Sequence, residues 1–199
     1  MNDVLAWVAA LEPGAPDVVS ARRHISEDRP ISVRREVRRR AGAGTAETIA
    51  AQLAVLAEAL ASVVADLSDA ELRLDGGEGE WNVAEAIGHV CESRAGLSLA
   101  ASKAAAGTFP ADAPTVVQGI AGSADADQAT LLRKIAQSQR LVERAARTVA
   151  GHETEPCPLD HPQVGRLRCG EWLLFAGVHD LMHLEQLHGI VARRPGPTP

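Results

Sequence analysis

His179 and His183, in the run His179-Asp180-Leu181-Met182-His183, are the residues of this chain whose types and spacing could do chemistry. Four positions apart on a helix, they lie on one face a turn apart, where two imidazoles can hold one metal ion. The spacing permits a metal without requiring it, since a surface pair or a hydrogen-bonded core pair has the same pattern. Their surroundings narrow the choice. At about 100° per residue, Trp172, Phe175, Ala176, His183 and Ile190 fall within roughly 60° of His179, so the face is otherwise apolar. Imidazoles buried on such a face must find a partner, and one ion would satisfy both.

Two histidines do not complete a site, because catalytic zinc and similar ions take three protein ligands and keep a position open. Five other histidines are available. His188 follows His179 by nine residues and points about 180° away on the same helix. His24 lies in a basic N-terminal stretch, while His152 and His161 lie in the loop before the last helix. His89 sits inside a second helix, and bundle sites draw ligands from facing helices. Against it, Ile87 and Cys91 cluster roughly 160° from His89, off its side of the helix. Its own side carries Ala86, Ser93, Gly96 and Ala100, small enough to admit another helix or a substrate. Periodicity leaves His89 open.

No general base stands out. Glu85, one turn before His89, and Glu92, nearly one turn after it, could each orient an imidazole or take a proton. Glu85 also fits a capping box with Asn82, and Glu92 fits a solvated face. Gln186 shares the metal face and could meet substrate or bound water. Asp180, about 100° off that face, is expected at the surface.

The elements that must position these groups are helical. Thr45 is a plausible cap for a helix to Leu67 with Ile49, Leu53, Leu56, Leu60 and Val63 repeating at three and four. A second helix runs from Asn82 to about Ala105. A third begins near Asp125 and carries Leu131, Leu132, Ile135, Leu141, Val142 and Val149, and a fourth spans Cys169 to Ala192. No segment alternates convincingly with period two. Four apolar stripes of this length bury best as an all-α four-helix bundle over residues 45–192, and the two later loops are long enough for crossover connections. Residues 1–44 form an extension with a short helix (Asn2 to Leu11) and an irregular arginine-rich arm, and residues 193–199 a flexible tail.

Composition sets outer bounds. Apolar residues make up 46% of the 199 positions, and the aromatics are three Trp and two Phe, which favours helix over sheet. The formal net charge of −6 gives no reason to expect nucleic-acid binding, although residues 1–45 hold eight Arg against six acids. That arm reads as solvated surface packed on an acidic body. No apolar run suggests a membrane span and the start is not that of a secretory signal, so a cytoplasmic protein is expected. Cys91, Cys157 and Cys169 are odd in number and lack CxxC spacing, so neither a disulfide framework nor a zinc ribbon is expected.

Two blocks resemble a known family. Trp81-Asn82-Val83-Ala84-Glu85-Ala86-Ile87-Gly88-His89-Val90 is similar to the Trp, cap, Glu and metal-binding His that open the second helix of DinB/YfiT-like metalloenzymes. His161-Pro162 to Leu167, Glu171-Trp172 and His179 to Leu187 resemble that family's loop and last helix. The resemblance covers about residues 45 to 192; Arg168 stands where members often carry a Thr or Ser cap, and the N-terminal arm is extra. It implies that His89, His179 and His183 bind a divalent metal, typically zinc or nickel. It further implies a small-molecule substrate, a low-molecular-weight thiol as co-substrate in an S-transferase reaction, and a homodimer. A metal-dependent hydrolase and a non-catalytic metal-binding bundle are the alternatives.

Overall fold

The structure is a computed structural model that describes residues 2–25, 30–76, 81–162 and 164–192. The tail at 193–199 lies outside the described residues. Four long helices form the body: α4 (Ala46–Ala65), α5 (Val83–Ala105), α6 (Gln128–Val149) and α7 (Cys169–Ala192). Before them come α1 (Asn2–Leu11), α2 (Pro16–His24) and α3 (Pro30–Ala41).

Local chemistry sets the helix starts. Thr45 caps α4 by accepting from Thr48 N, and Asn82 and Glu85 close a reciprocal capping box on α5. Asp127 caps α6 through Thr130 N. Pro16 and Pro30 each open a helix at its first position, where a missing N–H removes no intrahelical bond. The residues expected as an irregular arm are therefore helical from Pro30 to Ala41, with arginines Arg38 to Arg40 in the last turn, where cations suit the helix dipole.

α4 and α5 each pack against both α6 and α7, so α4 and α5 lie across the bundle diagonal from one another. The core is built from Ile49, Leu53, Leu56 and Leu60 of α4, Ile87 and Leu97 of α5, Leu131, Ile135 and Val142 of α6, and Trp172, Leu173 and Leu174 of α7. α2 and α3 pack on α7. Gly177 is the seat for that layer, since a Cβ there would lie 2.8 Å from Leu53 Cδ1 and 2.9 Å from Val18 Cγ2. The first turn of α2 is held by a side chain of α4. Gln52 Oε1 accepts from Asp17 N at 2.8 Å and Val18 N at 3.3 Å, while its Nε2 donates to Asp17 Oδ2 at 2.8 Å. Ion pairs Arg22–Glu185 (2.9 Å) and Arg38–Glu171 (3.4 Å) complete the contact with α7.

Three further expectations need correction. A two-stranded antiparallel hairpin, β1 (Pro156–His161) and β2 (Gly165–Arg168), occupies the loop before α7. Its register shifts between Pro156 and Asp160, which erases the period-two signal, and Gly165 turns at φ 67°. Asp180 is not at the surface: it is 1% exposed, because α7 is covered on several sides and buries more than one stripe. Finally, α4 does have the length and apolarity of a membrane span, with a mean hydropathy of 1.8. Its buried face, Ile49, Leu53, Leu56 and Leu60, belongs to the bundle core.

Candidate metal centre

His89 comes from the second turn of α5, and His179 and His183 from successive turns of α7. The structure brings all three together. His89 Nε2 and His183 Nε2 each lie 3.2 Å from His179 Nε2, and the three ligand atoms are all within 4.8 Å of one another. Periodicity had placed His89 away from the Ile87/Cys91 stripe, and the structure shows why both readings hold. α5 is covered on two sides, by the bundle core and by the loop 106–127 together with α7.

That loop can approach because position 88 is glycine. Gly88 meets Gly122 so closely that a Cβ on Gly88 would lie 2.5 Å from Gly122 Cα. Gly122 N donates to Glu85 O at 3.0 Å, and the same loop turns the Ile120 carbonyl toward His89, whose Nδ1 donates to it at 2.9 Å. On α7, His183 Nδ1 donates to Gln186 Oε1 at 3.2 Å, and Gln186 Nε2 donates in turn to the Gly76 carbonyl. An Nδ1–H on each of these rings leaves the Nε2 lone pair of His89 and of His183 pointing at the common centre. A carbonyl or amide oxygen holding the far nitrogen is how metal-binding imidazoles are oriented.

The donor set fits a divalent ion. Nitrogens about 2.0–2.1 Å from one tetrahedral ion are about 3.3 Å apart, close to the two 3.2 Å separations. Between themselves the rings have no complete solution. One nitrogen of His179 faces two lone pairs, while its Nδ1 is enclosed without a hydrogen-bond partner. Burial, then the proximity of His183, His89 and His161, pushes His179 well below the usual imidazole range, so it is a neutral donor at pH 7.

Aromatic groups wall the cluster. The Trp81 ring lies 4.8 Å from that of His89, and Phe175 lies 6.5 Å from His179. His161, which the sequence placed only in a loop, sits on β1 with its ring 5.1 Å from Phe175. Burial lowers its pKa. Its pairing with Gly165 across the hairpin is what carries it to the site, and no periodic pattern could have shown that.

The other candidates take different places. Glu85 closes the α5 capping box, and Glu92 is exposed and pairs with Lys134 at 2.9 Å, so neither reaches the imidazoles. Gln186 orients His183 instead of facing the centre with a free amide. His188 stacks on Trp7, with ring centroids 4.8 Å apart, on another side of α7. Cys91, Cys157 and Cys169 are buried free thiols, and burial raises all three, Cys91 and Cys169 to about 12. None is a nucleophile in this state.

A helical bundle carrying an inward-facing three-histidine group that could hold a metal is the class this fold and site define. The family model of the DinB superfamily matches residues 52–187, and the chain belongs to that superfamily. No curated protein and no solved structure matches the chain.

Proposed function

We propose that His89, His179 and His183 bind one divalent ion, zinc or nickel, and that the protein is a thiol-dependent transferase acting on small electrophiles. The observation that carries the metal is the convergence of three Nε2 atoms at 3.2 Å steps, with two Nδ1 atoms held by oxygen acceptors. Such an ion supplies Lewis acidity, making a bound thiol or water nucleophilic at neutral pH.

The chain's own residues favour the thiol. A carboxylate base commonly assists a metal-bound water, yet the carboxylates nearest the ligands in sequence are all engaged. Glu85 caps α5, Glu92 pairs with Lys134, Asp180 with Arg94, and Glu185 with Arg22. A thiol, with an ordinary pKa near 8.5, needs far less help than water to lose its proton. His161, beside Phe175 and close enough to His179 to influence its charge, is a side chain that could accept it. Trp81 and Phe175 exclude water from two sides. Imidazole is an uncharged ligand, so three of them would leave the ion's charge undiminished for the reacting group.

The test is metal content followed by turnover. Protein purified without chelator carries close to one zinc or nickel per chain, and His179→Ala carries none. Conjugation of an activated electrophile then depends on added low-molecular-weight thiol. Equal turnover without thiol would make the protein a hydrolase, and metal-free protein would remove the site altogether.

A further inference from the structure

Beside the histidines, α5 and α7 share a second polar contact that the proposed chemistry does not use. Arg94 is 0% exposed and Asp180 1% exposed, and Arg94 Nε lies 3.2 Å from Asp180 Oδ2. Arg94 Nη2 also donates to the Leu53 carbonyl of α4 at 3.0 Å and to Gln139 Oε1 of α6 at 2.8 Å. Gln139 Nε2 donates to Glu143 Oε1 at 3.1 Å, which keeps the amide oxygen turned toward the guanidinium. One side chain of α5 thus touches all three other bundle helices, including α4 across the diagonal.

A buried ion pair is a poor source of stability, because desolvation offsets the attraction and apolar residues of similar volume often do as well. This one is not optimised even as a pair. Arg94 Nε, Arg94 Nη1 and both Asp180 oxygens have no hydrogen-bond partner. What the pair does impose is position. The buried leucines of α7, Leu173, Leu174, Leu181 and Leu184, could repack after a small rotation or slide of that helix. A slip of one residue, about 1.5 Å and 100°, would instead strand a charge in the core. Asp180 adjoins His179, and Arg94 follows His89 by five residues, so the contact that holds the pair also holds the imidazoles.

We propose that Arg94 and Asp180 are positioning residues that fix the rotation and register of α7 against α5 at which the three histidines meet. The inference rests on reading those histidines as a metal centre. The sequence hides the couple, because an arginine within an apolar pattern reads as surface and Asp180 lies off the histidine face.

The test replaces the pair by apolar side chains and reads the site by cobalt. Metal-free wild type, titrated with Co(II), gives a visible d–d spectrum that saturates at one equivalent. Arg94→Met/Asp180→Leu keeps the helical circular dichroism and cooperative unfolding but binds Co(II) at least tenfold more weakly, with an altered spectrum. Arg94→Lys/Asp180→Glu, which retains both charges, recovers affinity and spectrum toward wild type. Should the apolar variant not fold, Asp180→Asn, which keeps the shape and removes the charge, takes its place in the comparison. A folded apolar variant with wild-type affinity and spectrum overturns the proposal, as does a charge-retaining variant that binds no better than the apolar one. Wild type that takes up no cobalt overturns the metal reading itself, a failure separate from the other two.

Discussion

Adding a single methyl group at Gly88 should open the metal centre from outside. Its Cβ would stand 2.5 Å from Gly122 Cα, whereas carbon atoms in contact need about 3.5–4.0 Å. The opposing atom is backbone, with no flexible side chain to swing aside, so Gly88→Ala must push the loop off α5 by about 1–1.5 Å. A shift of that size takes the Gly122–Glu85 bond (3.0 Å) and the Ile120–His89 bond (2.9 Å) beyond hydrogen-bonding distance. Overpacking of this kind costs about 1–3 kcal/mol. Loss of the oxygen that orients His89 should weaken metal binding about 10–100-fold. The control lies two turns along the same helix. Gly96 is exposed with no atom within 4 Å of its would-be Cβ, so Gly96→Ala should stabilise by about 0.5–1 kcal/mol and leave metal affinity unchanged. Urea midpoints and chelator-competition titrations of both variants provide the comparison. Gly88→Ala with wild-type stability and wild-type affinity would show that the loop does not hold His89 as described.

Gln186→Leu removes the acceptor from His183 Nδ1 and should weaken metal binding by about 10–100-fold at nearly unchanged helicity, read by the same competition titration. Asn82→Ala deletes half of the α5 capping box and should cost about 1 kcal/mol in urea unfolding; no loss would mean the box contributes nothing. Native protein at pH 8 should react with none of a disulfide reagent's three thiol equivalents within minutes, and with all three in guanidinium, because each thiol is buried with a raised pKa. His161 has a folded pKa below its unfolded value, so the unfolded chain binds the extra proton and stability is lost as pH falls below about 6.5. Metal-free wild type should therefore lose stability relative to His161→Phe between pH 7.5 and 5.5; parallel curves would refute the assignment.

Helix positions were legible wherever one stripe and one cap governed them. α7 runs over the expected Cys169–Ala192, and α5 starts at the expected Asn82 cap. His179 and His183 could be placed side by side on α7 from the i, i+4 spacing alone. His89 could not, because α5 is covered on two sides and periodicity sees only the more apolar one. The same limit hid Asp180 and Arg94, whose burial depends on where three other helices lie. α2 and α3 were hidden by prolines that read as breaks but open helices. The hairpin was hidden by Pro156 and Pro158 and by a register shift. His161 reaches the site only through that hairpin, so its place there was beyond any local pattern.

The way α2 is held bears on how the chain can be made. Its first turn donates hydrogen bonds to Gln52, and its far side rests on α7, whose Glu185 meets Arg22. A ribosome delivers α2 long before residue 185. α2 therefore meets α3 and Gln52 soon after it emerges, but gains its α7 contact only when residues 169–192 have been made. A nascent chain arrested before α7 should be cleaved by protease within α2, while the finished protein resists cleavage there.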